Sequence, residues 1–154
     1  MVNKNALTTA TALLARREHS RRELTQKLIR RFTTADIETA LNRLQEKNLL
    51  NNQRFACAYV REAGRKFGDI KLRHYLRERG VTDDDIDHAL KTEISIDEYD
   101  RAAGVLQKKY RVALSDAKTR AQASRFLLSR GFSRGTVTAV ISDHKNGEPF
   151  SDKE

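Results

Sequence analysis

The stretch YLRERGVTDDDIDHAL, residues 75–90, holds the end of one helix and the start of another, and its reading decides the fold. Leu72, Tyr75 and Leu76 recur at helical spacing. Gly80 follows Arg79 where a left-handed residue ends a helix, and Thr82 then stands as N-cap with Asp85 three positions on and Ile86 four positions on. Two other segments overlay this one: KLIRRFTTADIETAL, residues 27–41, and FLLSRGFSRGTVTAVI, residues 126–141. Leu28, Leu76 and Leu127 fall in register, as do Arg31, Arg79 and Arg130, at intervals of 48 and 51 residues. Thr33 and Ser133 repeat the cap, and Ile37 and Val137 repeat the first buried position. Asp36, Asp85 and Thr136 occupy the third position, from which a side chain can reach back to the cap's own N–H. Gly131 repeats the turn glycine, which the first segment lacks.

Working outward, an earlier helix starts eight residues before each register leucine, at Ser20, Gly68 and Thr119, with Ser20-x-x-Glu23 and Thr119-x-x-Gln122 predicting capping boxes. Ahead of each lies one more amphipathic segment, carrying Leu7, Leu13 and Leu14, then Phe55, Tyr59 and Val60, then Val105, Leu106 and Tyr110. The chain therefore reads as all-α, with three tandem three-helix repeats at residues 1–50, 51–95 and 96–145 and a polar, disordered tail at 146–154. Punctuation agrees: Pro149 is the only proline and lies in that tail, and seven glycines are few for a strand-rich fold. One unit of about 50 residues buries too little surface to stand comfortably alone, so the repeats are expected to stack into an elongated array.

Composition excludes several classes of function. The 154 residues never run to the roughly 20 consecutive apolar positions of a membrane span, and MVNKNALTTATALLARR, residues 1–17, does not read as a secretory signal. A single cysteine, Cys57, forbids an internal disulfide; it sits in RFACAYV on an apolar helix face as a small buried hydrophobe, and the location expected is the cytoplasm. His19, His74, His88 and His144 lack metal-ligand spacing, so no metal is expected. Asp83, Asp84, Asp85 and Asp87 read as a helix start, where carboxylates complement the macrodipole, since the run lacks the alternation and central glycine of a calcium loop. Phosphate-loop, dinucleotide and nucleophile-elbow signatures are absent, so no cofactor, no catalytic residue and no enzymatic activity are expected.

What remains is charge. Thirty Lys and Arg against 21 Asp and Glu give a net charge of +9, and residues 1–50, 51–95 and 96–154 carry +5, +1 and +3 of it. The second helices concentrate it: Arg21, Arg22, Lys27, Arg30 and Arg31 in the first repeat; Lys71, Arg73, Arg77 and Arg79, with Arg61, Arg65 and Lys66 beside them, clustered before the third helix of the second; Lys118, Arg120, Arg125 and Arg130 in the third. A basic stripe repeated three times suits a phosphate track; taken singly, each of these side chains reads more simply as a solvated position on an amphipathic helix.

The stretch LNRLQEKNLLNNQRFACAYV, residues 41–60, followed by Gly68 and LRERGV at residues 76–81, resembles the central region of the bacterial RecX regulatory proteins. REHSRRELTQKL at 17–28 and RFLLSRGFS at 125–133 extend the resemblance over nearly the whole chain. The resemblance implies tandem three-helix repeats and binding to the RecA recombinase filament on single-stranded DNA, restraining its growth, ATP hydrolysis and strand exchange; a monomer is expected. Two departures stand out: Asn51 and Asn52 replace a common pair of acids, and the turn glycine before Phe32 is missing. The expected mechanism is multivalent, with a basic helical array lying along the filament groove through the Lys and Arg residues named above. An alternative is a helix-turn-helix-like DNA-binding protein acting without RecA, although the four aspartates opening the third helix of the middle repeat would be repelled by phosphates. A helical-repeat scaffold indifferent to DNA is a third reading.

Overall fold

The computed structural model describes residues 5–111 and 114–145, and the expected disordered tail at 146–154 lies outside them. Nine α-helices and no strand are found among the described residues: α1 (Ala6–Leu14), α2 (Arg21–Leu28), α3 (Thr34–Glu46), α4 (Asn52–Ala63), α5 (Asp69–Glu78), α6 (Asp83–Glu93), α7 (Glu98–Lys109), α8 (Ala117–Ser129) and α9 (Arg134–Lys145). They form three successive three-helix repeats.

Local chemistry sets most helix ends. Ser20 closes the full capping box with Glu23. Thr33, Thr82 and Ser133 accept the N–H of the residue three positions on at 3.2, 3.3 and 3.2 Å. Gly80 and Gly131 adopt φ of +77° and +85°. Around each, a six-residue and a four-residue hydrogen bond close the turn: Val81 N–H to Leu76 O with Gly80 N–H to Arg77 O, and Phe132 N–H to Leu127 O with Gly131 N–H to Leu128 O. A third left-handed residue, Asn48 (φ 54°), ends α3 in the same way. The first repeat's turn, one residue shorter, instead bonds both Arg31 and Phe32 N–H to Leu28 O.

Three local expectations need correction. The α8 cap is Asp116, whose carboxylate takes the Thr119 N–H at 2.8 Å and the Thr119 hydroxyl at 2.7 Å, so Thr119 lies inside the helix and the expected Thr119/Gln122 box does not form. A carboxylate at the cap outcompetes a hydroxyl three residues later for the free N–H groups. The Ser133 N–H is met by Glu98 rather than by Thr136, because Thr136 turns its own hydroxyl to Glu98. Cys57 is half-buried rather than fully buried.

The chain forms two compact units that interleave along the sequence. The first takes Met1–Val60 and Tyr75–Glu93, the second Arg61–His74 and Ile94–Glu154. In the first, Ala10, Leu24, Leu28, Ile37, Leu41, Leu44 and Leu50 make a core flanked by Leu7, Leu13, Leu14 and Phe32. In the second, Leu106, Leu114, Leu127, Phe132, Val137 and Val140 are central, with Tyr99, Val105, Tyr110 and Phe126 packed on them. Each buried Leu, Val or Phe contributes about 1.5–3 kcal/mol of transfer free energy.

Polar joints complete the second unit. The backbone of the α4–α5 turn meets that of the α8–α9 turn, Gly68 N–H donating to Arg130 O (2.8 Å) and Ile70 N–H to Gly131 O (3.1 Å). A Cβ on Gly68 would lie 2.3 Å from Gly131 O, so glycine is required there by proximity. Arg101, 7% exposed, donates to Gly64 O (2.9 Å) and Phe67 O (3.0 Å) and pairs with Asp69, holding the same turn. Glu98 joins two helix starts: it accepts the N–H groups of Asp69 and Ser133, each at 3.4 Å, and the hydroxyls of Ser133 (2.9 Å) and Thr136 (2.7 Å). Burial works to raise the Glu98 pKa, but the Thr136 and Ser133 hydrogen bonds outweigh it and hold the carboxyl below its ordinary range.

Candidate partner-binding surfaces

Hydrogen bonds among the described residues sort the basic side chains by what they already do. In the first unit, Arg21 bridges α2 to α3, donating to Glu38 (2.7 Å) and to Gln45. Arg79 donates to Glu23 (3.3 Å) and Tyr75 O (3.2 Å), and its guanidinium lies 3.3 Å from the centre of the Tyr75 ring. Tyr75 in turn stacks on Tyr59, with centroids 3.9 Å apart and planes within 6°. Arg77 pairs with Asp83 at 2.7 Å, both ends exposed. Such an exposed pair contributes about 0–1 kcal/mol and is readily exchanged for another anion. Arg22, Lys27, Arg30 and Arg31 are exposed.

These residues frame a cleft of about 610 Å³ lined by Arg22, Glu23, Gln26, Lys27, Glu78 and Arg79. Beneath Lys27 lies His19, 2% exposed, whose Nδ1–H donates to Arg17 O at 3.0 Å. That leaves Nε2 to accept from the Lys27 ammonium at 3.0 Å. Burial lowers the His19 pKa, against the Arg17 carbonyl bond and with the neighbouring Arg17 and Lys27 charges.

In the second unit, Arg120 donates to Leu114 O (3.1 Å) and Ser115 O (2.9 Å) and so braces the approach to α8. Arg61, Arg65, Lys66, Lys71, Lys118 and Arg125 are exposed, while Arg73 and Arg130 are half-buried. Lys71 and Arg130 lie against aromatic rings, as does Lys109, which sequence reasoning passed over. The missed contacts share one character: Lys109 with Phe126, and Arg101 and Glu98 with their acceptors and donors, join positions far along the chain, where helical spacing carries no signal.

Asn51 and Asn52 keep the acceptor role that a pair of acids would have. Asn51 Oδ1 takes the Arg54 N–H at 2.9 Å and caps α4, and Asn52 Oδ1 takes the Arg21 N–H at 2.9 Å at the start of α2. Arg54 then reaches back to Glu18 (2.5 Å), Asn48 O (3.0 Å) and Leu49 O (3.2 Å), satisfying the carbonyls at the end of α3. The α6 aspartates act in the fold: Asp83, Asp84 and Asp85 fill the first turn, and Asp85 accepts from Gln53 at 3.4 Å. Among the described residues, no cluster of three His, Cys, Asp or Glu is placed to hold a metal ion, and no helix is long and apolar enough to cross a membrane.

Comparison with known proteins agrees with this geometry. Models of the first, second and third three-helix domains of RecX match residues 6–44, 51–90 and 96–141. A regulatory protein RecX from Pseudomonas fluorescens is 40% identical over 137 residues, covering 87% of this chain and 88% of its own. One from Herminiimonas arsenicoxydans is 35% identical over 140 residues, covering 90% and 92%. Among solved structures, a regulatory protein RecX superposes with a TM-score of 0.76 at 23% identity, over 90% of this chain and 71% of that one. RecX from Lactobacillus salivarius gives 0.74 at 19% identity, over 92% and 95%. At those identities the structural likeness speaks for the fold.

Proposed function

The chain belongs to the RecX family, and from that membership we propose that it is a non-enzymatic regulator of the RecA recombinase. In this reading it binds RecA and RecA–single-stranded DNA filaments in the cytoplasm as a monomer. It inhibits filament extension, ATP hydrolysis and strand exchange, and so modulates recombination, DNA repair and the SOS response. The observation that carries the reading is the match of all three repeats to the family's three domains, on a chain whose net charge is +9.

The surface chemistry supports it. Arg22 and Lys27 on α2, Arg30 and Arg31 in the turn after it, and in the other unit Arg65 and Lys66 in the α4–α5 turn, Lys71 on α5 and Lys118 and Arg125 on α8 are exposed cations. A ligand with many regularly repeated anionic sites engages several weak contacts at once, and avidity then exceeds single-site affinity by roughly 10²–10⁴. Arg21 and Arg120 have donors committed inside the fold, so they act by holding these surfaces in place.

The test is RecA ATP hydrolysis on single-stranded DNA as the protein is titrated in, with binding of the protein to bare DNA measured in parallel. Inhibition well below the RecA concentration, and below the concentration that saturates bare DNA, is the expected outcome. The double reversal Arg22→Glu/Arg30→Glu, with helicity unchanged, is expected to weaken it at least tenfold. No effect of the unaltered protein on RecA, with tight and salt-sensitive binding to DNA alone, would overturn the proposal in favour of a DNA-binding protein acting without RecA.

A further inference from the structure

The second unit carries a row in which cations and rings alternate. The Lys71 ammonium lies 4.6 Å from the centre of the Phe67 ring, whose centre is 5.5 Å from the Arg130 guanidinium carbon. Arg130 is also 5.1 Å from the Phe126 centre, which is 4.0 Å from the Lys109 ammonium. Lys109 lies 5.9 Å from the Tyr110 ring, and Tyr110 meets Phe126 edge-on with centroids 6.3 Å apart. Three segments distant in sequence build the row: the α4–α5 turn with the start of α5, the end of α8, and the end of α7. The two backbone bonds between the α4–α5 and α8–α9 turns fix Phe67 and Arg130 side by side.

A ring orders a cation without cancelling its charge. A carboxylate partner would leave a neutral pair, whereas a quadrupole leaves the full positive charge directed at solvent. The side-chain entropy of Lys and Arg, a main cost of recruiting them to a ligand, is already partly spent in the free protein. The rings themselves are half-buried, with Lys71 exposed at one end of the row and Lys109 exposed beside Tyr110 at the other. A preordered series of uncancelled cations separated by aromatic edges matches a polymer in which anionic groups alternate with flat π-faces.

We propose that the row Lys71, Phe67, Arg130, Phe126, Lys109 and Tyr110 is the contact surface for a nucleic-acid single strand, the cations holding phosphates and the rings bordering the bases. Duplex DNA offers the same phosphates but hides its base faces, so the strand bound is single. The inference rests on the filament reading for its setting and adds to it which surface meets DNA; the contact itself is tested on bare DNA.

The probe is a fluorescein-labelled dT oligonucleotide of about 20 nucleotides, titrated with the full chain by anisotropy across a range of salt concentrations. Each phosphate neutralised on a single strand contributes about 0.7 to the slope of log affinity against log salt, so Lys109→Gln/Arg130→Gln is expected to make the slope shallower by about 1.4. Lys109→Arg/Arg130→Lys, which keeps the charges, should keep the slope, and the charge-matched pair Arg134→Gln/Lys145→Gln should too. The unaltered protein should prefer the oligonucleotide to a duplex of equal length. An unchanged slope in Lys109→Gln/Arg130→Gln, equal or tighter binding to duplex, or loss of binding to RecA with binding to the oligonucleotide intact would each overturn the assignment. A protein that leaves RecA hydrolysis untouched while its slope falls as expected refutes the filament reading and leaves this one standing.

Discussion

Replacing Gly68 by alanine is expected to be among the most damaging single-methyl changes in the chain. The new Cβ would sit 2.3 Å from Gly131 O, 2.4 Å from its carbonyl carbon and 2.4 Å from Phe132 N, all backbone atoms that no rotamer change can move aside. Relief requires separating the α4–α5 and α8–α9 turns, which breaks Gly68 N–H to Arg130 O and Ile70 N–H to Gly131 O. Two hydrogen bonds at about 1 kcal/mol each, with about 1–3 kcal/mol for overpacking, give a loss of roughly 3–5 kcal/mol. Gly80→Ala is the comparison. Its φ of +77° imposes a left-handed penalty of about 1–2 kcal/mol. Its nearest neighbour, however, is Arg22 Cβ at 3.2 Å, a contact relieved by a shift of a few tenths of an ångström, while the Arg22 Cδ at 3.4 Å can rotate away. Gly104→Ala, inside α7 with nothing within 4 Å, should stabilise by about 0.5–1 kcal/mol. Urea unfolding followed by circular dichroism at 222 nm reads the series; at a slope of about 2 kcal/mol per molar urea, Gly68→Ala moves the midpoint down by about 2 M. A Gly68→Ala variant as stable as Gly80→Ala would refute the argument from backbone proximity.

Three further outcomes are expected. Arg101→Met should cost about 3 kcal/mol, because it strands Gly64 O, Phe67 O and Asp69 while returning some apolar packing, and thermal unfolding measures it. Combined with Gly68→Ala, the loss should be less than additive, since both act on one turn. Asn51→Ala should cost about 1 kcal/mol by removing the α4 cap, whereas Asn51→Asp should be neutral or stabilising, both read by chemical unfolding. Glu98 has a folded pKa below its unfolded one, so the stability it contributes is present above the usual 4.5 and lost as pH falls through the depressed folded value. Stability of Glu98→Gln followed from pH 7 to pH 3 should show a flatter fall than that of the unaltered chain.

Local signals were legible in the residues and long-range ones were not. Thr33, Thr82, Ser133 and Ser20 announce helix starts because a cap bonds within three residues, and Gly80 and Gly131 announce helix ends because few other residues take a positive φ. Asn48 takes the same conformation without a glycine's visibility, and Asp116 displaced Thr119 because two capping residues competed within one turn. The basic second helices were visible as charge, but sequence could not separate Arg21, turned onto Glu38, from its neighbour Arg22, left to solvent. Nor could it show that Arg101 would be buried against three acceptors, because those lie 32 or more residues away. The cation–ring row was hidden for the same reason: each ring is locally unremarkable on its own helix.

The interleaving of the two units bears on how the nascent chain folds. A ribosome that has released residues up to Val60 has delivered most of the first unit but not the Tyr75–Glu93 segment that completes it. By the time that segment emerges, Arg61–His74 is already outside and belongs to the second unit, whose remaining partners begin at Ile94. During this interval the α4–α5 turn waits with Gly68 N–H, Gly64 O and Phe67 O unpaired until Arg101, and later Arg130, arrive. Synthesis at about 5–20 residues per second leaves that turn exposed for a few seconds, an opening for chaperones or proteases that a chain of strictly consecutive domains would not present.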